Sequence, residues 1–218
     1  MILSIFKELS KSLRMHNCKF CNKFHNPHLS INKEYDTIIF ETENFIVTPT
    51  MGSLVEGWLL IISKNHFICA GQTSYSLKKE LKGLIEQIKT GLKDLKKNIF
   101  IFEHGPHSSL QSTGCGIDHL HLHVVPLDFN LFKKAQEFYP YKWNLSDLFS
   151  TTEYFEKCSS YLYMQCPSGE EYVTSDLNIP SQFFRRVIAK ELNIEEHYDW
   201  KKNFGKENID KTLKILSQ

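Results

Sequence analysis

The chain has 218 residues, 41% hydrophobic and 23% charged, with a formal net charge of +1. That length suits one compact domain, or one domain with an extension, and it can bury most of its apolar surface without disulfide staples. The near-zero charge excludes a global pull toward nucleic acid or an anionic membrane, and no apolar run is long enough for a membrane span.

The first stretch, MILSIFKELSKSLRM, has Ile2, Leu3, Ile5, Phe6, Leu9 and Leu13 interrupted by Lys7, Glu8, Lys11 and Arg14. It predicts an amphipathic helix over residues 1–17 rather than a secretory signal, and so a cytoplasmic protein. Cys18 and Cys21 form a Cys-x2-Cys pair. Cys69, Cys115, Cys158 and Cys166 are scattered and read as reduced thiols. YDTIIFETENFIVTPT predicts strands Thr37–Glu41 and Phe45–Thr48 around a Glu-Asn turn, and GWLLIIS a buried strand, Gly57–Ser63. Leu77, Leu81, Leu84, Ile88, Leu92 and Leu95 recur at steps of three and four, which predicts an amphipathic helix over Ser76–Lys97. NIFIFEHG is a further strand, Asn98–Glu103, followed by a loop rich in Gly, Ser, Pro and Thr, Gly105–Gly116.

Next comes GCGIDHLHLHVVP, Gly114 to Pro126. In a strand, His119, His121 and His123 share one face, about 6–7 Å apart along the chain. Leu120, Leu122 and Val124 point the other way, into a core. Pro126 is expected to end the strand or put it at a sheet edge. A purely structural role for three buried imidazoles costs desolvation unless each has a partner. Two choices remain: a metal site, and an acid–base or nucleophilic site.

Beyond Pro126 the character changes, and a boundary is placed near Asp128. FNLFKKAQEFY predicts a helix, SSYLYMQC and EEYVTS a strand pair, IPSQFFRRVIAKELNI a helix with Pro180 near its start, and ENIDKTLKILS a terminal helix. The organisation is residues 1–17, a main domain over 18–128, and an extension over 129–218 packed on it. Gln182, Arg185 and Arg186 lie on one of these helices, and Arg is a natural phosphate partner. Tyr139, Tyr141 and Trp143 could stack on a base or pack a core.

HLHLHVV matches the pattern His-φ-His-φ-His-φ-φ, with φ hydrophobic, at every position. This resembles the histidine triad family of nucleotide hydrolases and transferases. VTPTMGSLVEGWLLIISKNHF is similar to the family's stretch leading to Lys-x-His, and the likeness runs roughly from Cys18 to Pro126. FEHG, GCGIDH and the C-terminal sequence resemble longer bacterial members with an extension. The resemblance implies an α+β fold: an antiparallel sheet with a long amphipathic helix, plus a small C-terminal α/β extension.

It also assigns one role: His121 is the nucleophile that attacks an α-phosphate and forms a covalent nucleotidyl-histidine. The chemistry of the neighbouring residues suggests the rest: His123, on the same face, could donate to phosphate or leaving group. Gly114, Cys115 and Gly116 offer backbone N–H groups to phosphate, with Gln182, Arg185 and Arg186 as further substrate contacts. From the residues alone, Cys18 and Cys21 are a redox pair or half of a zinc site, and His25 and His28 compete as ligands. The resemblance completes a structural zinc site with His66 and His119, a closed set with no open position for water.

The chain departs from the family where many members carry Gly-Gln or Ser before the triad. Ser108, Ser109, Gln111, Ser112, Thr113, His104 or His107 could stand in. The expected partner is a small-molecule nucleotide, with no membrane and no nucleic acid. Simple members pair as homodimers through their sheets, and an extension could reinforce or cover that contact. The runner-up is a nucleotidyltransferase, although galactose-phosphate uridylyltransferases carry Gln where this chain has His123. Further alternatives are a zinc-stabilised binding module without turnover and a DNA-end repair enzyme, the latter calling for a basic surface or an added finger.

Overall fold

The computed structural model describes residues 18–25, 34, 36–108, 116–157, 160–175 and 179–217. The helix expected over residues 1–17 lies outside these, as do His28, Ser109, Gln111, Ser112, Thr113, Gly114 and Cys115. Among the described residues the strands are β1 (Phe40–Glu41), β2 (Phe45–Pro49), β3 (Leu59–Ser63), β4 (Asn98–Gly105), β5 (His121–Leu127), β6 (Asn144–Leu145), β7 (Tyr161–Gln165) and β8 (Glu171–Thr174). The helices are α1 (Lys19–His25), α2 (Tyr75–Gly91), α3 (Leu131–Phe138), α4 (Thr151–Glu156), α5 (Phe183–Glu191) and α6 (Lys206–Leu216). All strand pairs are antiparallel and form one sheet in the order β1-β2-β3-β5-β4-β7-β8-β6.

Alternation along β5 divides the core. Leu120, Leu122 and Val124 join Leu59 and Ile61 of β3 on one face, where Leu81, Leu84, Ile85 and Ile88 of α2 cover them. Each such aliphatic side chain contributes roughly 1.5–3 kcal/mol over leaving it exposed. On the opposite face Phe100, Phe102 and Val125 meet Leu131 and Ala135 of α3 and Phe183, Phe184, Val187 and Ile188 of α5. The histidines lie on this second face and are buried too, His121 the least so at 8% exposed. The face expected to carry chemistry is therefore also packed.

Helix α2 starts at Ser74, whose hydroxyl accepts from the Leu77 N–H at 3.4 Å, as a serine N-cap does. It ends earlier than its apolar period predicts. After Gly91 the chain tightens into a 3-10 turn, Lys93–Leu95, closed by Lys96 in the left-handed region. The turn keeps Leu92 and Leu95 against the core, so the apolar spacing outlasts the helix. The first strand is also shorter than expected, although the Ile39 N–H still reaches the Val47 carbonyl at 2.8 Å.

Pro126 neither ends β5 nor marks an edge. It pairs with Ile99 in a strand flanked by β3 and β4. The Leu120 carbonyl accepts from Ser63 of β3, so even-numbered residues of β5 turn their backbone groups toward β3. Pairing with β3 stops at Val124, opposite Leu59. The N–H that proline lacks is thus on the side where no partner strand remains.

The chain beyond Asp128 adds to the sheet. β7 pairs with the outer edge of β4 from Ile101↔Gln165 to Gly105↔Tyr161, and β8 and β6 follow. Gly105 is required there, because a Cβ would stand 2.1 Å from the Tyr161 ring. Tyr139, which is exposed, stacks on the buried Tyr141 at 4.4 Å, and the half-buried Trp143 lies edge-on to Phe132 at 5.6 Å. Among the described residues, no helix is long and apolar enough to cross a membrane.

Candidate active site and metal centre

Three segments converge on the histidine face of β5: α1 from the start of the described chain, the residues after Gly116, and α5 with the loop that follows it. Leu60 and Ile62 of β3 sit directly opposite His123 and His121. They pack Phe20 of α1, whose ring meets His121 edge-on at 5.7 Å. Phe184 of α5 lies 4.4 Å from Phe102, and Phe102 stacks on His123 at 4.6 Å.

Hydrogen bonds set a tautomer for each ring. His121 Nδ1 donates to the His119 carbonyl at 2.6 Å, which leaves Nε2 with its lone pair. His123 Nδ1 accepts from the indole N–H of the fully buried Trp58 at 3.0 Å, so its proton sits on Nε2. One imidazole of the pair can attack and its neighbour can donate. Their ring centres are 5.3 Å apart. Burial disfavours the charged form of both and holds their pKa below the ordinary 6.5; for His123 the neighbouring His121, His104 and Arg185 add to this. Both are therefore neutral near pH 7, which leaves His121 a nucleophile and His123 a hydrogen-bond donor.

His119 faces the other way in function. Its Nε2 donates to the Ser63 carbonyl at 2.6 Å, leaving Nδ1 as a ligand atom 3.4 Å from Cys18 Sγ and 3.5 Å from Cys21 Sγ. His66 Nδ1 lies 3.2 Å from Cys21 Sγ. The four ligand atoms of Cys18, Cys21, His66 and His119 all lie within 4.8 Å of one another. Tetrahedral zinc, with bonds of ~2.3 Å to sulfur and ~2.0–2.1 Å to nitrogen, separates S and N by about 3.6 Å. The set fits that ion in size, donor type and tautomer. Burial, and the Cys18 thiol beside it, push the Cys21 thiol up to about 12. A redox pair needs the opposite shift.

The remaining expected residues divide. Gly116 is exposed and left-handed at φ +87°, with Lys201 Nζ 3.4 Å from where a Cβ would stand. Arg185 is buried beneath the site. Its Nε donates to the Tyr198 carbonyl at 2.7 Å and its Nη2 to the Gly52 carbonyl at 2.5 Å, and its guanidinium lies 5.0 Å from the Trp58 ring centre. Its charge bears on His104 and His123. Gln182 is not a mid-helix residue but the left-handed cap before α5, bonded to Trp200 and Asp199. Arg186 bonds the Ser181 carbonyl and the Tyr198 hydroxyl. His107 lies against Phe155, which packs on the α2 face of the sheet.

Several site neighbours escape the motif. Trp58 precedes β3 with no nearby histidine in sequence, and Phe20 sits inside the Cys-x2-Cys pair. Phe184 adjoins Arg185, the only one of the two a phosphate argument selects. Trp200 carries Lys19 Nζ at 5.1 Å and Lys201 Nζ at 5.8 Å from its ring centre. Its role depends on α1 and the last loop meeting, which no local pattern encodes.

No family model and no curated protein matches the chain. Among solved structures it is similar to a HIT-like protein involved in cell-cycle regulation from Bartonella henselae, with TM-score 0.40 and 19% identity over 50% of this chain and 75% of that one. It is similar to a hypothetical histidine triad nucleotide-binding protein from Sulfolobus tokodaii, with TM-score 0.40 and 26% identity over 50% and 68%. A HIT family hydrolase from Clostridium thermocellum gives TM-score 0.37 and 22% identity over 51% and 90%. In the motif on β5 the chain resembles the histidine triad family.

Proposed function

We propose that the chain is a histidine triad nucleotide hydrolase that works through a covalent nucleotidyl-histidine. The observation that carries this reading is the opposed pair of tautomers: His121 with Nε2 unprotonated, His123 with Nε2 protonated. His121 Nε2 attacks the α-phosphorus of a nucleotidyl substrate. A P–N bond forms and the bond to the leaving group breaks, with the His123 Nε2–H donating a hydrogen bond to the leaving atom as charge develops on it. Water then attacks the same phosphorus and loses its proton to solvent, the P–N bond breaks to restore the neutral His121, and a nucleoside monophosphate leaves. With a phosphate in place of water the same intermediate gives a transferase. Dinucleoside polyphosphates, nucleoside phosphoramidates and adenylates all present the required α-phosphorus.

Gly116 closes the described end of the loop before the triad and would approach the phosphate through its backbone. Cys18, Cys21, His66 and His119 would hold a zinc ion, which supplies structural cross-linking rather than Lewis acidity because four protein ligands leave no open position. The bond from His119 Nε2 to the Ser63 carbonyl orients that ligand, and the next histidine along the strand, two residues on, is the nucleophile. We place the protein in the cytoplasm, where its thiols stay reduced.

Intact-mass spectrometry without acid tests the reading. After incubation with a panel of dinucleoside polyphosphates, phosphoramidates and nucleotide sugars, the wild-type protein gains the mass of one nucleoside monophosphate. His121→Ala gains none. Nucleotide binding with no adduct and no turnover from any substrate overturns the hydrolase reading in favour of a binding module.

A further inference from the structure

We infer that Lys201, in the loop after α5, makes the phosphate contact for which Gly116 has no side chain, and that with Lys19 and Trp200 it forms a subsite for phosphate beyond the α-phosphorus. The inference rests on the hydrolase reading above and narrows its substrate class to nucleotides whose leaving group is itself a phosphate.

Space provides the first support. Gly116 stands three residues before His119, and at φ +87° its backbone suits glycine and strains any other residue. Lys201 Nζ and Cε lie 3.4 and 3.5 Å from where its Cβ would stand. The volume that a side chain would use at this end of the loop is occupied by an ammonium from the C-terminal extension.

The attachment of that ammonium provides the second. The Trp200 N–H donates to Gln182 Oε1 at 3.4 Å, and the Lys201 N–H to Asp199 Oδ1 at 3.1 Å. Gln182 is buried and caps α5, so this loop is tied to the helix that covers the histidine face. Trp200 also packs on Gly52, where a Cβ would meet Trp200 Cβ at 2.6 Å. The Gly52 carbonyl accepts from Arg185, whose guanidinium lies 5.0 Å from the ring centre of Trp58, the donor to His123. From the other side Lys19 adjoins Phe20, whose ring is 5.7 Å from His121.

Charge provides the third. Lys19 Nζ and Lys201 Nζ lie 5.1 and 5.8 Å from the centre of the one Trp200 ring. Among the described residues neither ammonium forms an ion pair. Asp199, the adjacent carboxylate, is engaged by the Lys201 backbone and by Gln182 Nε2. Two like charges on one indole repel, and an anion between them relieves that repulsion. A leaving phosphate is such an anion, and its charge grows as the bond to the α-phosphorus breaks.

The test uses the full chain, Lys201→Met and Lys201→Arg. Each is loaded from diadenosine tetraphosphate and from adenosine 5′-phosphoramidate, whose leaving amine carries no phosphate. The quantity read is the ratio of the two loading rates, because a folding defect moves both rates together. Lys201→Met is expected to lower that ratio about tenfold or more, and Lys201→Arg to keep it within about threefold of wild type. An unchanged ratio in Lys201→Met overturns the inference and leaves the hydrolase reading intact, as does wild-type loading from the phosphoramidate alone. A ratio that falls as far in Lys201→Arg as in Lys201→Met also overturns it, since charge is then not what the site reads. Where the tetraphosphate alone or neither substrate loads the wild type, calorimetry reads the ratio of ATP to AMP affinity in the same three proteins. A margin for ATP that Lys201→Met loses and Lys201→Arg keeps supports the subsite, and any other result overturns it. Loading from neither substrate counts against the hydrolase reading whatever the calorimetry shows.

Discussion

His121 and His123 are chemically the same residue two positions apart, and they differ only in what their Nδ1 atoms meet. A carbonyl accepts from one and an indole donates to the other. Trp58→Phe removes that donor while keeping an aromatic ring under Arg185. His123 is then free to carry its proton on Nδ1, the wrong nitrogen for the leaving group. The expected outcome is a fall in kcat of about tenfold or more with KM little changed, measured by steady-state kinetics, and a stability loss of about 1 kcal/mol. An unchanged kcat would remove the indole from the mechanism.

Glu103 is the other residue whose surroundings decide its chemistry. It is on the α2 face, where its carboxyl accepts from the Ala70 N–H and the Tyr161 hydroxyl, each at 2.7 Å. Burial raises its pKa from the ordinary 4.5 to about 7, against the opposing pull of those hydrogen bonds and of Lys78. The folded protein therefore holds a proton that the unfolded chain has released between those values. The stabilising contribution is whole below pH 4.5 and is lost as pH rises through about 7, at a cost of about 3 kcal/mol. Urea unfolding at pH 5 and pH 8 should show wild type losing that much more stability than Glu103→Gln over the same interval. Parallel losses in the two proteins would mean that Glu103 does not titrate there.

At the scale of elements, α1 is seven residues long, too short to be stable by itself. It is anchored by Phe20 on β3 and by the thiols of Cys18 and Cys21 facing His66 and His119. Elemental analysis of the purified protein is expected to find one zinc per chain, and substantially less in Cys21→Ser. Chelation should raise amide exchange across Lys19–His25 well above that of β5, because metal and Phe20 are the anchors of that helix. Uniform exchange in both segments would argue against a structural ion. α5 depends instead on Arg185, whose two carbonyl partners come from Gly52 and Tyr198, far apart in the chain.

For the whole molecule, the feature that organises the rest is the continuation of the sheet past β4. β7 satisfies the outer edge of β4, and α5 covers its histidine face. The edge that would otherwise be open for pairing with a second copy is occupied by the chain's own strand. Truncation after Asp128 should expose both that edge and the apolar wall of Phe100 and Phe102. Size-exclusion chromatography is expected to show self-association or loss from solution, while the intact chain elutes at a smaller size. A soluble, monomeric truncation would show that β4 needs no cover.

The alternation in HLHLHVV was enough to divide β5 into an apolar face and an imidazole face, since side-chain direction in a strand follows from backbone geometry alone. The leucine spacing of α2 and the donor types of the Cys-x2-Cys pair were legible for the same reason: each is a pattern within a few residues. The tautomers, the burial of the histidines and the placing of Pro126 were decided by the tertiary structure. Trp58, β3, β4, β7 and α5 create these features by register and packing across tens of residues. A hydrogen-bond partner or a desolvating wall that far away leaves no period in the local sequence.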